Sequence, residues 1–286
     1  MTEEFHEVRV YCLGRFSLDI GGQPVKRWRG GRARSLFQYL LVNRNKLVLK
    51  ERLYEVLWPH AEWSPSSSSL KVAVHALRRV LEVQSGVPEL EASYQDFGYV
   101  LTVSPRVWID FIEFEALAAK GAAAEARKDL SAAASYYQRA MSLYRGDFLV
   151  GETADWVDEQ REWLRGAALR ALDFLTSHAL RAADEDLVLE YCRSSLEIEA
   201  CREEAYRMIM RIHAGRGELG QVLRWYGLCV DRLRTHLGVK PSPETDRVLQ
   251  VTLNASAGKV QRGPIEAGPV GQLRVSSRNP RLTRTA

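Results

Sequence analysis

Six residues in one short stretch have the types and the spacing to read a nucleic acid: Ser68, Lys71, Val72, His75, Arg78 and Arg79. Placed at 100° per residue, Leu70, Ala73, Val74, Leu77, Val80 and Leu81 fall on one apolar stripe. Ser68, Val72, His75 and Arg79 then lie on the opposite face, flanked by Lys71 and Arg78. A helix built this way can pack on its own domain and turn its other side into a major groove. There, the cations can meet guanine edges or phosphates, and the valine methyls can meet a thymine methyl. An ordinary basic surface helix has the same pattern, so the neighbouring elements must decide.

Those neighbours read as a framework for such a helix. VRVYCLG and FSLDI alternate as strands, and Gly21-Gly22 marks a hairpin turn before a short strand through Pro24 and Val25. A helix is expected from Arg32 to Val42, with Asn43 as its stop. A second is expected from about Lys50 to Trp58, burying Leu53, Val56 and Leu57 and ended by Pro59. Ser66 to Ser69 offer hydroxyl caps to the third helix. Residues 90–94 and 97–103 read as two strands joined by a polar tip, Gln95-Asp96, which puts Gln95 within reach of DNA. Sheet, three helices and hairpin, in that order, make a winged helix.

Charge sharpens the division. Residues 26–80 carry 12 Lys+Arg against 3 Asp+Glu, while residues 106–256 carry 20 against 24. This suggests a polyanion partner for the first part only, a solvated basic surface being the alternative that charge alone leaves open. Within it, Arg32, Arg34, Lys46, Lys50 and Arg52 are the candidates for phosphate contacts. Residues 257–286, with 6 Lys+Arg and 1 Asp+Glu and few apolar anchors, read as a disordered basic tail.

From Ile109 the pattern is helical. IDFIEFEALAAK and LSAAASYYQRAMSLY precede a break at Gly146, a long helix is expected from about Thr153 to Ala183, and three more at about 187–198, 202–214 and 219–237. Tyr136-Tyr137-x-x-Ala140 and the short connections suggest tetratricopeptide-like repeats, although no strict 34-residue period exists and a plain helical bundle is the alternative. The fold expected is mainly α: an N-terminal winged helix over 1–105, an all-α helical-repeat domain over 106–256, and the tail.

Enzyme chemistry finds no support. There is no GxxxxGK[ST], no HExxH and no GxSxG, and the six histidines lie far apart. Cys12, Cys192, Cys201 and Cys229 lack CxxC spacing and read as reduced, small apolar residues. No cofactor or metal is expected. The acidic, alternating N-terminus is not a signal peptide, and no apolar run approaches a membrane span, so a cytoplasmic protein is expected.

The run RARSLFQYLLVNRNKLVLKERLYEVLWP, then LKVAVHALRRVLE, then FGYVLTV, resembles the OmpR-like winged helix of the Streptomyces antibiotic regulatory proteins. DFIEFEALAAKG, AMSLYRGDFLVGE with WVDEQREWL, EEAYRMIMRIHAGRGELGQVLRWYGLCVDRL, and LGVKPSPET resemble the activator domain that follows it there. The resemblance spans about residues 6–250, and the ordered set carries it more than any single motif. It implies a transcriptional activator of an antibiotic or other secondary-metabolite gene cluster, binding direct repeats near the −35 region as a dimer or side-by-side pair and recruiting RNA polymerase holoenzyme. It also implies that the loop holding Trp63 faces polymerase, whereas residue type alone leaves Trp63 either in the core or exposed as an anchor. With neither a receiver domain before the winged helix nor an ATPase module behind the helices, the small form of the family is expected. Two positions depart from the pattern: Leu49 stands where a Ser or Thr cap is usual, predicting a frayed start to the second helix, and Ile198-Glu199-Ala200 replaces Asp-Pro, predicting a less defined turn. A helical-repeat adaptor, or a repressor with the same DNA-binding domain, is the alternative.

Overall fold

The computed structural model describes residues 8–28, 31–61, 68–85 and 89–260. Strands β1 (Val8–Tyr11), β2 (Ser17–Ile20) and β3 (Gln23–Pro24) precede helix α1 (Gly31–Val42), the two-residue strand β4 (Val48–Leu49), and helices α2 (Lys50–Leu57) and α3 (Ser69–Ser85). The hairpin β5 (Leu90–Gln95) and β6 (Gly98–Val103) follows, then β7 (Trp108–Ile109). Helices α4 (Asp110–Ala126), α5 (Leu130–Leu143), α6 (Trp156–Arg181), α7 (Glu185–Ile198), α8 (Glu203–Gly215), α9 (Leu219–Leu237) and α10 (Pro243–Val260) complete the order. The mainly α architecture expected from the sequence is the one observed.

Two small sheets frame the first half, one ordered β3-β2-β1-β7 and one ordered β4-β6-β5. In the first, alternation buries Val8, Val10, Leu18 and Ile20 on one side, and Gly21-Gly22 turn the chain at positive φ. β7 pairs parallel with β1, setting Val10 opposite Ile109, so the chain passes residue 105 without a linker. One buried cluster runs from Val8 through Leu36, Leu77 and Phe114 to Ala168.

A carboxylate fastens this junction. Asp110, at the start of α4 and buried, accepts the backbone amides of Cys12 and Leu13 at 2.8 Å and that of Phe111 at 2.7 Å. Burial pushes its carboxyl up to about 6, against the amides of Leu13, Cys12 and Phe111 and the charge of Arg145, which pull it down. Nearby, Leu149 donates its amide to the Cys12 carbonyl at 2.7 Å, and Ser35 of α1 donates to Glu152 at 3.1 Å. Tyr39 of α1 meets Trp156 of α6 edge to face at 5.1 Å.

The helical half repeats one turn geometry. Lys128, Ala183 and Gly217 all take left-handed φ, and each is followed by an acidic residue, Asp129, Asp184 or Glu218, that opens the next helix. Asp129 and Asp184 accept amides of their own first turns at 3.1 and 3.0 Å. Ala183 and Gly217 stand about 34 residues apart, the tetratricopeptide length, whereas the longer α6 stretches the preceding unit. Helices pair in sequence, α4 with α5, α6 with α7 and α8 with α9, and α10 lies against α8 and α9. Gly121 matters to the first pair, because a Cβ there would sit 2.7 Å from the Tyr137 ring.

Several details differ from the sequence reading. α2 buries Tyr54 with Leu53 and Leu57 and leaves Val56 half-buried; the Tyr54 ring packs at a tilt against Trp58, centroids 5.0 Å apart. Its start is held without a side-chain cap: Leu49 pairs with Gly98, and the Lys50 amide donates to the Phe97 carbonyl at 3.2 Å. The 198–200 turn is well defined too, since Tyr206 donates to the Ala200 carbonyl at 3.0 Å and Arg202 to Ser195 at 2.9 Å. Cys12, Cys192 and Cys229 are buried, Cys201 is half-buried, and all four are free thiols. Trp63, Ser66, Ser67 and tail residues 261–286 lie outside the described residues.

Candidate nucleic-acid interface

The stripe expected of α3 is fully buried: Leu70, Ala73, Val74, Leu77, Val80 and Leu81 all enter the core. A helix fixed along that stripe must present its other side, and Ser68, Lys71, Val72, His75 and Arg79 are all exposed. Lys71, His75 and Arg79 make no hydrogen bond or ion pair among the described residues. Val72 is 64% exposed between them, an apolar residue with nothing of its own domain to cover. This face can do what groove reading requires: donate from fixed positions and offer one methyl contact.

Arg78 behaves differently from its neighbour. It is half-buried, and its Nε donates to the Ala92 carbonyl of β5 at 2.7 Å, so it holds the hairpin against α3. Its guanidinium is thus committed at one nitrogen and turned toward the wing.

The other cations sort in the same manner. Arg34 and Lys46 are exposed, and Arg32 is exposed with its guanidinium 6.0 Å above the Trp58 ring. Lys50 is half-buried, its ammonium 4.5 Å above the Tyr94 ring and donating to the Tyr94 hydroxyl at 3.1 Å. Arg52 donates to the Tyr39 hydroxyl at 3.3 Å and to Glu55 at 3.1 Å, and those two acceptors raise its pKa further.

At the hairpin the register differs from the sequence reading. The tip is Asp96-Phe97, both at positive φ, whereas Gln95 is the last residue of β5 and donates to Ser93 at 3.2 Å. Gly98 explains the shift. A Cβ there would lie 2.4 Å from the Val48 carbonyl, so this glycine permits β4 to approach β6 instead of serving the turn. Phe97, 79% exposed at the tip, is the residue that sequence reasoning missed. Its signal was available in the order Asp-Phe-Gly, where only the glycine looked like a turn residue.

Among the described residues, no cluster of His, Cys, Asp and Glu could hold a metal ion, and no helix is long and apolar enough to cross a membrane.

Comparison with known proteins bears on this geometry. A family model described as Bacterial transcriptional activator domain matches residues 109–253, and one described as Transcriptional regulatory protein, C terminal, matches residues 29–101. The regulatory protein DnrI of Streptomyces peucetius is 24% identical over 249 residues, covering 84% of this chain and 89% of its own length. The regulatory protein AfsR of Streptomyces coelicolor is 23% identical over 240 residues, which is 81% of this chain and 24% of that protein. The chain thus spans about a quarter of AfsR. Among solved structures, Mycobacterium tuberculosis EmbR in complex with a low-affinity phosphopeptide superposes with a TM-score of 0.65 at 20% identity, covering 89% of this chain and 70% of that one. That likeness supports the fold. The chain belongs to the bacterial transcriptional activator domain family, in the two-part arrangement of the Streptomyces antibiotic regulatory proteins.

Proposed function

We propose that this chain is a sequence-specific DNA-binding transcriptional activator of an antibiotic or other secondary-metabolite gene cluster. One observation carries the DNA-binding part: Lys71, His75 and Arg79 of α3 stand exposed, without a partner among the described residues, opposite a fully buried stripe. Phosphate contacts from Arg32, Arg34 and Lys46, with lesser shares for the engaged Lys50 and Arg52, set the register, and Lys71, Val72, His75 and Arg79 choose the site. Residues 1–105 bind DNA in this reading, residues 106–256 face protein, and the basic tail 257–286 adds non-specific attraction. Two copies lie side by side on promoter direct repeats, and polymerase holoenzyme is recruited with Trp63 as one contact. The protein works in the cytoplasm without catalytic activity of its own.

The test is footprinting on DNA upstream of the neighbouring genes, with titrations at several salt concentrations. Specific protection should appear, and log affinity should fall with log salt with a slope of about −0.9 for each phosphate neutralised. No protection and a flat salt response would favour the adaptor. Transcription with purified polymerase separates an activator from a repressor by sign.

A further inference from the structure

The first half of α6 carries a surface that the DNA-binding reading does not use. Its arginines are folded beneath it: Arg161, with a side chain 17% exposed, donates to the Phe148 and Glu152 carbonyls and to Asp158. Arg165 pairs likewise with Asp147 and Glu162. The carboxylates remain outside, with Asp158, Glu159 and Glu162 all exposed. One turn beyond Glu159, at the edge of this face, stands Trp163, 59% exposed. Its indole Nε1 donates to Glu115 of α4 at 2.8 Å, which fixes the ring while leaving it uncovered. Beside it opens a cleft of about 620 Å³, walled by Trp156 and Glu159 of α6, by Tyr39 and Val42 of α1 and by Arg52 of α2.

We propose that this acidic face of α6, with Trp163 at its edge, docks a basic segment of RNA polymerase that carries an apolar anchor. This rests on the activator reading and names the surface through which recruitment works. Charge selects the class of partner. Nucleic acid is disfavoured by a face whose exposed ions on α6 are carboxylates, in a half of the chain with more acidic than basic residues, while Arg52 on the far wall of the cleft is paired with Glu55. A basic protein segment is attracted to it, and an apolar side chain can enter the cleft against Trp163 and Trp156. Because Glu115 already holds the indole, little conformational freedom remains to be lost on binding. The rival explanation makes Trp163 only a tie between α6 and α4, valued for its N–H.

Two substitutions separate these explanations. Trp163→Gln retains a donor for Glu115 and removes the ring; Trp163→Phe retains a ring and removes the donor. The full chain, bound to its promoter DNA, is titrated with purified RNA polymerase holoenzyme, and the ternary complex is measured beside DNA affinity and melting temperature. Trp163→Gln should weaken polymerase capture by about tenfold or more, with DNA affinity unchanged. Trp163→Phe should stay within about threefold of wild type, and Glu159→Lys should weaken capture most at low salt. Full capture by Trp163→Gln overturns the proposal. So does a Trp163→Phe variant that melts early and loses capture while Trp163→Gln keeps it, or a loss of DNA affinity that accounts for the whole effect. A wild-type chain that binds its promoter yet captures no polymerase removes the activator reading and this surface together, whereas capture that ignores Trp163 and Glu159 removes the surface alone.

Discussion

α3 and α6 are both amphipathic helices with arginines along them, yet their outward faces are opposite in kind. On α3, Lys71, His75 and Arg79 project without a partner among the described residues. On α6, Arg161 and Arg165 are drawn under the surface by Asp147, Asp158, Glu162 and two backbone carbonyls, and carboxylates occupy the exterior. Residue type is therefore a poor guide to role, because an arginine acts through whatever lies within about 3 Å of it. Arg78 and Arg79 make the point at adjacent positions of one helix: the first donates to the Ala92 carbonyl, the second to nothing among the described residues.

The comparison has meaning only if both faces are held in one rigid body, and Asp110 is the residue that most directly holds them. Asp110→Ala should produce the largest effect, a loss of about 3 kcal/mol, because the buried amides of Cys12 and Leu13 lose their acceptor together. Urea denaturation measures it, and a change below about 0.5 kcal/mol would show that the two halves are joined by other means. The pH dependence has a defined sign. With the folded carboxyl raised from 3.8 to about 6, the native state binds the proton more tightly than the unfolded chain. Stability from this group is fully present below pH 3.8 and lost as pH rises through about 6. The difference between wild type and Asp110→Asn should follow that slope and level off above it.

Next come the two arginines. Arg79→Ala should weaken specific DNA binding by roughly 1–3 kcal/mol and leave stability unchanged. Arg78→Ala should instead lower stability by about 1 kcal/mol, through the lost bond to the Ala92 carbonyl. Melting curves and DNA titrations on both variants decide the matter. Should Arg79→Ala unfold the domain, or Arg78→Ala alter binding alone, the two roles are exchanged.

Much of this was legible in the sequence, and the exceptions have physical causes. The apolar stripe of α3 showed because a side chain repeating at 3.6 residues on a well-buried helix leaves a clean period. β4 did not show, since two residues cannot display an alternation; only the partner strand β6 makes Val48–Leu49 a strand. α10 was hidden for a related reason: its buried residues, Thr245, Leu249 and Thr252, include two threonines whose burial depends on contacts far along the chain. One of them, Thr245, donates to Glu203 at 2.6 Å. The sorting of the cations was invisible in principle. Nothing in the order Arg78-Arg79 says that one meets a carbonyl fourteen residues later. The Trp163 face was equally silent, because the inward turn of Arg161 depends on the carbonyls of the loop before α6.

The smallest effect concerns Phe97, which sharpens the contrast between groups held in the fold and groups presented by it. An aromatic residue at φ 66 in a hairpin tip meets steric opposition that glycine does not, worth on the order of 1 kcal/mol. Burial offers little return, since Phe97 is 79% exposed. Two contributions oppose the exchange to glycine: the loss of the residual ring contact, and the greater freedom of glycine in the unfolded chain, which costs roughly 0.5–1 kcal/mol. Relief of strain and loss of chain stiffness are thus close in size, and asparagine separates them because it tolerates the left-handed region without that freedom. Phe97→Asn should therefore raise stability by about 0.5 kcal/mol and exceed Phe97→Gly, as measured by thermal and urea unfolding. If both variants fall by more than about 1 kcal/mol, the Phe97 ring supports the hairpin after all and belongs with Arg78 among the groups that hold the wing.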